Sequence, residues 1–225
     1  MELRWPFANL NNKPYAHLWQ PFDSPSDFET MRLQAMVMRA FSAGVLIGTD
    51  EMYWSPELTD SEAARFMATV VFTGVPYFGQ DLPRESNARR EMVRAWLAFY
   101  QKHRPALTGG TFRPYGDPNH PDQVIEGRRE TFIYYGHPSA GTLDLNERNE
   151  RIYIVNASQS GTIDLQLRGL APGDYVVERS DLLLNPGADS PTVRLEAVER
   201  LRYDVAVGCL LTLTRLHDLP SKVNS

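Results

Sequence analysis

The run from Gly44 to Leu82 constrains the fold more than any other segment. It sets two short apolar strands around one helix and lets each strand run out into polar, acid-bearing residues. Val45, Leu46 and Ile47 form an unbroken apolar stretch, as expected of a strand covered on both faces, and Asp50 and Glu51 follow it. Val75 to Phe78 repeats the arrangement, followed by Gln80 and Asp81. Between them, Thr59-Asp60-Ser61-Glu62 has the form of a capping box, in which a hydroxyl and a carboxylate satisfy opposite orphan amides. The helix it starts is predicted to run to about Phe72 and to stop at Gly74. A (β/α) barrel gathers the C-terminal ends of such strands at one mouth, where its active site lies.

Upstream, Ala16 to Trp19 is a candidate strand ending in Gln20, Pro21, Phe22 and Asp23. Ser24 then suits an N-cap, with Pro25 at the first helical position and Asp27 in the first turn. Phe28, Met31, Ala35 and Met38 recur at helical spacing, which predicts a core-facing stripe through about Phe41. A further helix is predicted from about Asn87 to His103, with Met92, Val93, Trp96, Leu97 and Tyr100 on its apolar face and Arg104-Pro105 ending it. Leu107 to Gly127 has loop composition, rich in Gly, Pro, Asp and Asn. Beyond it come only strand-like runs: Thr131–Tyr135, Arg151–Asn156, Thr162–Arg168, Asp174–Glu178, Thr192–Ala197, Tyr203–Val207 and Leu210–Leu216. Turn signals such as Ala171-Pro172-Gly173-Asp174 separate them at the spacing of a sandwich. The expected fold class is therefore α/β plus all-β. About three β/α units of a TIM barrel occupy 1–113, and an antiparallel β-sandwich occupies 114–225.

Charge narrows the function. A formal net charge of -5 argues against a nucleic-acid binder, whose affinity rests on clustered Lys and Arg. The single cysteine, Cys209, excludes an internal disulfide and sits in an apolar run as a small buried hydrophobe. The N-terminal stretch has neither the basic nor the apolar region of a signal peptide, and no apolar run approaches the ~20 residues of a membrane span. The chain as given is expected in the cytoplasm, or outside the cell if an upstream signal precedes it.

The carboxylates after the proposed strands, Asp23, Asp50, Glu51 and Asp81, would converge on one mouth with Trp19, Tyr53 and Trp54 beside them. Paired carboxyl groups with aromatic surfaces suit sugar chemistry, where one group protonates the leaving oxygen while an oxocarbenium-like centre is stabilised. Trp19 and Trp54 are candidate stacking surfaces. His17, on the same strand as Trp19, is a candidate hydrogen-bonding partner for a ligand, and the other four histidines fall in surface or loop positions. No metal-ligand spacing, nucleophile elbow or phosphate loop occurs, so neither a metal nor a cofactor is expected.

These residues resemble a family. Trp19-Gln-Pro-Phe-Asp23 resembles the end of strand six in the retaining α-galactosidases, the melibiase-like glycoside hydrolases, whose aspartate there is the catalytic acid/base. Gly48-Thr49-Asp50-Glu51-Met52 stands where that family has Asn-Asp-Pro-Asp-Met, so only Glu51 and Met52 carry over. Leu58-Thr59 through Pro76-Tyr-Phe-Gly-Gln-Asp81-Leu82 is similar to the family's final helix and strand eight. The resemblance implies that Asp23 is catalytic and that Glu51 contacts substrate; with the residue reading above, Trp19, Asp50, Trp54, His17 and Asp81 complete the candidate substrate contacts. It also implies a nucleophile on strand four, outside this chain, and hence a fragment or subunit that needs a complementary barrel segment or a second copy of itself. Gly74-Val-Pro-Tyr-Phe-Gly79-Gln80 equally resembles strand eight of the α-amylase-type barrels, although Thr49 stands where those enzymes have His. An α-glucan hydrolase fragment is therefore an alternative, and a non-catalytic carbohydrate-binding or structural module is another.

Overall fold

A computed structural model describes residues 2–4, 17–20, 27–41, 46–49, 53–77, 79–138, 141–146 and 149–216. It is mostly β-sheet with few helices. Three strands, β1 (Glu2–Arg4), β2 (Leu18–Gln20) and β3 (Leu46–Ile47), form a sheet in that order with both pairings parallel. A parallel bridge from Gly48 to Val75 extends it by one position. Helix α1 (Phe28–Phe41) connects β2 to β3, and α2 (Asp60–Thr73) connects β3 to Val75. Each parallel step is thus closed by a helical crossover, as parallel pairing requires.

The local signals account for these helices. Both halves of the capping box at Thr59 and Glu62 are made, and α2 ends at Gly74. Gly74 is extended, so its role is space: a Cβ there would lie 2.1 Å from the Ile47 carbonyl oxygen. Helix α1 starts later than its sequence suggests. Asp27 caps it, accepting from the Thr30 amide at 3.0 Å and the Thr30 hydroxyl at 2.6 Å, whereas Ser24 lies outside the described residues. Helix α3 (Asn87–Gly109) passes through Pro105 instead of ending there. Its last turn is retained because Leu107 is buried and the Leu107 carbonyl accepts from Arg39 at 2.5 Å, which outweighs the one amide Pro105 lacks.

The remaining strands form two sheets. β4 (Thr111–Tyr115), β5 (Asp122–Glu126), β6 (Glu130–Tyr135), β8 (Arg151–Asn156), β10 (Gly173–Arg179), β11 (Thr192–Leu195) and β13 (Leu210–Arg215) make a seven-stranded sheet ordered β11-β10-β13-β8-β6-β5-β4. β7 (Thr142–Asp144), β9 (Thr162–Arg168) and β12 (Val198–Asp204) make a three-stranded sheet ordered β12-β9-β7. Most pairings are antiparallel, but β6 with β8 and β7 with β9 are parallel, so the sandwich is mixed, not purely antiparallel. Further sequence expectations fail here, and β7 falls in none of the expected strand runs. The stretch expected as a loop contains the end of α3 and the strands β4 and β5. β12 begins at Val198, five residues ahead of the expected start, because its outward Arg and Glu residues hide a strand with Leu201 as its one fully buried side chain.

The seven-stranded sheet is covered on both faces. One face packs on the small sheet through Ile133, Ile154, Leu165, Leu167 and Leu213. The other packs on the helices, where Phe72, Trp96, Phe132 and Tyr153 share a core with Trp19 and Ile47 of the parallel strands. The helices therefore lie between the parallel sheet and the sandwich.

Candidate functional site

Parallel pairing brings the C-terminal ends of β2 and β3 and the chain just beyond the isolated bridge at Val75 to one edge; the expected strand from Val75 is reduced to that single bridge among the described residues. Backbone bonds fix this edge: Gly48 N to Trp19 O at 2.8 Å, Val75 N to Ile47 O at 2.7 Å, and Thr49 N to Val75 O at 2.9 Å. Just past these bonds, Gln20 donates to the Thr49 carbonyl at 3.5 Å, and the Thr49 hydroxyl accepts from the Tyr77 amide at 2.8 Å. Gly48 leaves room for this packing, since a Cβ there would stand 3.2 Å from the Tyr77 ring and 3.3 Å from Gln20 Cγ. Gln20 and Thr49 are buried, and Tyr77 is half-buried.

A second cluster braces this edge. The side chain of Gln80 accepts from the Trp54 amide at 2.9 Å and donates to Glu85, which also accepts from the Trp54 indole at 2.9 Å and from Arg89 at 3.4 Å. Arg89 in turn holds Asp60 at 2.9 Å and the Leu58 carbonyl, and the bond to Asp60 helps keep its guanidinium above its usual pKa range. Charge-assisted bonds of this kind are the stronger ones. The loop after β3 is thereby tied to the loop after Val75 and to the start of α3. Glu85 was not among the expected site residues; its sequence signal is weak, a Glu directly before the Ser86 N-cap.

The expected site residues divide into three groups. Asp23, Asp50 and Glu51 lie outside the described residues. Asp81 is exposed beside this edge, ion-paired with Arg84 at 3.0 Å, on a cleft of 660 Å³ that Asp60, Glu85 and Arg89 also line. Trp19, Trp54 and His17 depart from expectation. Trp19 is 2% exposed and sits in the helix-side core, because the period of two along β2 turns it away from the face that carries Gln20. Trp54 is 3% exposed, edge-on to Phe66 at 5.5 Å. Neither offers a ring face for stacking. His17 precedes β2, with its carbonyl bonded to the Leu46 amide, so it stands at the opposite edge, about 10 Å from the C-terminal ends. Tyr53 is exposed. Among the described residues, no group of three His, Cys, Asp or Glu side chains is placed to hold a metal ion, and no helix is long and apolar enough to cross a membrane.

No protein-family model matches the chain, and no curated protein sequence matches it. Among solved structures, it is similar to a GH36 α-galactosidase from Geobacillus stearothermophilus in complex with raffinose, at 10% identity and a TM-score of 0.44, over 88% of this chain and 28% of that one. It is also similar to a glucosidase from Croceicoccus marinus, at 15% identity and a TM-score of 0.36, over 89% of this chain and 54% of that one. The chain thus spans about a quarter and about half of these two enzymes, and scores this low do not establish a shared fold.

Proposed function

We propose that the chain is the C-terminal part of a glycoside hydrolase acting on α-linked sugars, and that the C-terminal edge of its parallel strands is one side of the active site. The observation that carries this reading is the topology: β2, α1, β3, α2 and Val75 follow one another as parallel steps. Two strand ends and the bridge at Val75, which lead into Asp23, into Asp50 and Glu51, and into Asp81, therefore share one edge, the arrangement in which (β/α) barrels place catalytic groups. In this reading the strands continue a barrel whose other units, including the nucleophile, come from outside this chain. Asp23 protonates the glycosidic oxygen and then activates water, while Asp50 and Glu51 bind sugar hydroxyls. The Gln80–Glu85 brace holds the backbone at Trp54, just beyond Asp50 and Glu51, against the neighbouring loop.

The test is to complement the chain with the missing barrel half and to assay aryl α-galactoside hydrolysis beside α-glucan hydrolysis. Replacing Asp23 by Asn is expected to lower turnover about 10²- to 10⁴-fold, the usual contribution of a positioned acid/base. Turnover within a few-fold of the parent would rule out the assignment.

A further inference from the structure

A second polar cavity lies far from this edge, between α3 and the helix-facing side of the seven-stranded sheet. It measures 240 Å³, below the ~300 to 1,000 Å³ of pockets for drug-sized ligands, and so suits a smaller molecule. His103 of α3 lines it while being only 3% exposed. Its Nδ1 faces Glu130 Oε2 at 3.0 Å, and its Nε2 has no hydrogen-bond partner among the described residues. Burial lowers the His103 pKa, so the ring is neutral near pH 7, with its proton on Nδ1 toward Glu130 and a lone pair on Nε2.

The opposite wall comes from three neighbouring strands. Glu178, Thr212 and Tyr153 are direct cross-strand partners on β10, β13 and β8, so their side chains stand in a row on one face. Neither the Glu178 carboxylate nor the Thr212 hydroxyl has a hydrogen-bond partner among the described residues; Tyr153 accepts only from Arg151, at 3.4 Å, and keeps its own proton to donate. Lys102 adds a further donor at the rim. The lining carries both signs of charge, Lys102 and Arg151 against Glu178, and Glu130, bonded to His103, also acts on Arg151. Leu184, in the loop that closes one side, has φ of 62°, the sole positive φ outside glycine among the described residues. Asp181 pins that loop by accepting from the Leu183 and Asn185 amides at 2.8 and 2.9 Å. A side chain held in this sparsely populated conformation marks a wall kept in place by its surroundings.

From this geometry we infer that the cavity is a binding site for a neutral, polyhydroxylated ligand of monosaccharide size. Hydroxyl groups donate and accept at the same atom, which matches a wall of mixed acceptors (His103 Nε2, Glu178) and donors (Tyr153, Thr212, Lys102) that presents both signs of charge. A free anion would meet Glu178, and a cation would meet Lys102 and Arg151.

The test is an NMR titration of the full ¹⁵N-labelled chain with galactose and with glucose, with acetate and glycine as charged and zwitterionic comparisons. One sugar is expected to shift the His103 Nε2 resonance and the amides of Glu178 and Thr212 saturably, at millimolar concentrations typical of weak sites. Glu178→Gln keeps the shape of the side chain, and Thr212→Val that of its neighbour; each is expected to weaken that binding at least tenfold while the remaining amide spectrum stays superimposable. Absence of saturable shifts with either sugar, a response to acetate or glycine instead, shifts confined to Gln20, Thr49 and Tyr77, or an unchanged affinity in both variants would each overturn the inference.

Discussion

Gly74→Ala tests the packing that builds the candidate mouth. An added methyl would stand 2.1 Å from the Ile47 carbonyl oxygen, and the atom it meets is backbone, so no side chain can swing aside. Either α2 or β3 must move by about an ångström. That movement breaks the Val75 N to Ile47 O bond and loosens the Thr49 N to Val75 O bond, each worth about 1 kcal/mol net. Forcing a methyl into a closed site adds about 1 to 3 kcal/mol. The gain from a stiffer unfolded chain, about 0.4 to 1 kcal/mol, offsets part of this. The expected net loss is about 2 to 4 kcal/mol, which for a chain of this size lowers Tm by roughly 4 to 16 °C. Gly161→Ala is the matched control: nothing lies within 4 Å of its Cβ position and its φ is not positive, so the variant should melt at or slightly above the parent temperature. Circular dichroism melts of the parent and both variants make the comparison. If Gly74→Ala melts within about 2 °C of the parent, a margin under ~1 kcal/mol, the close approach of α2 to β3 is wrong.

The brace at Glu85 should show coupling: Glu85→Ala leaves the Trp54 indole, Gln80 and Arg89 short of an acceptor and is expected to cost about 2 to 4 kcal/mol, and less in a Trp54→Phe background, as measured by a double-mutant cycle in urea. Because burial depresses the His103 pKa, the unfolded chain binds the extra proton more readily. Stability should therefore be complete above the unfolded pKa of about 6.5 and be lost as pH falls through the folded value, and His103→Phe should flatten that slope in melts taken between about pH 5 and 7.5. Burial pushes the Cys209 thiol up to about 11, so labelling by a thiol reagent should follow global unfolding; rapid labelling of the folded chain would contradict its position in the sandwich core.

The sequence displayed those parts of the fold whose signals are local. The capping box at Thr59 and Glu62 names both partners of a contact three residues apart, and β8 and β9 stand at their predicted limits because their apolar runs are uninterrupted or strictly alternating. What stayed hidden depends on distant partners. β5 reads as loop because it opens with Asp122 and Gln123, yet both are buried. Asp122 accepts from the Gly136 and His137 amides, and Gln123 donates to the Phe72 carbonyl 51 residues away. His103 reads as surface because nothing nearby in sequence announces Glu130. Trp19 and Trp54 look like sugar platforms by proximity to acids, but strand period and core packing, not proximity, decide where an indole points.

Helix α3 gives the two polar regions their relation. Glu85 sits just before its first turn and His103 in its fifth, a separation of roughly 25 Å along the axis at 1.5 Å per residue. At an effective dielectric of about 20, two unit charges that far apart interact by less than about 1 kcal/mol. The position of the helix is the route through the core that connects them. That position is fixed from both sides, by Met92 and Trp96 against the α2 core and by Leu107 against the sheet. The helix thus joins the two regions through one continuous core. Among the described residues, the sandwich that walls the cavity shares a core with the parallel strands through this packed helical layer.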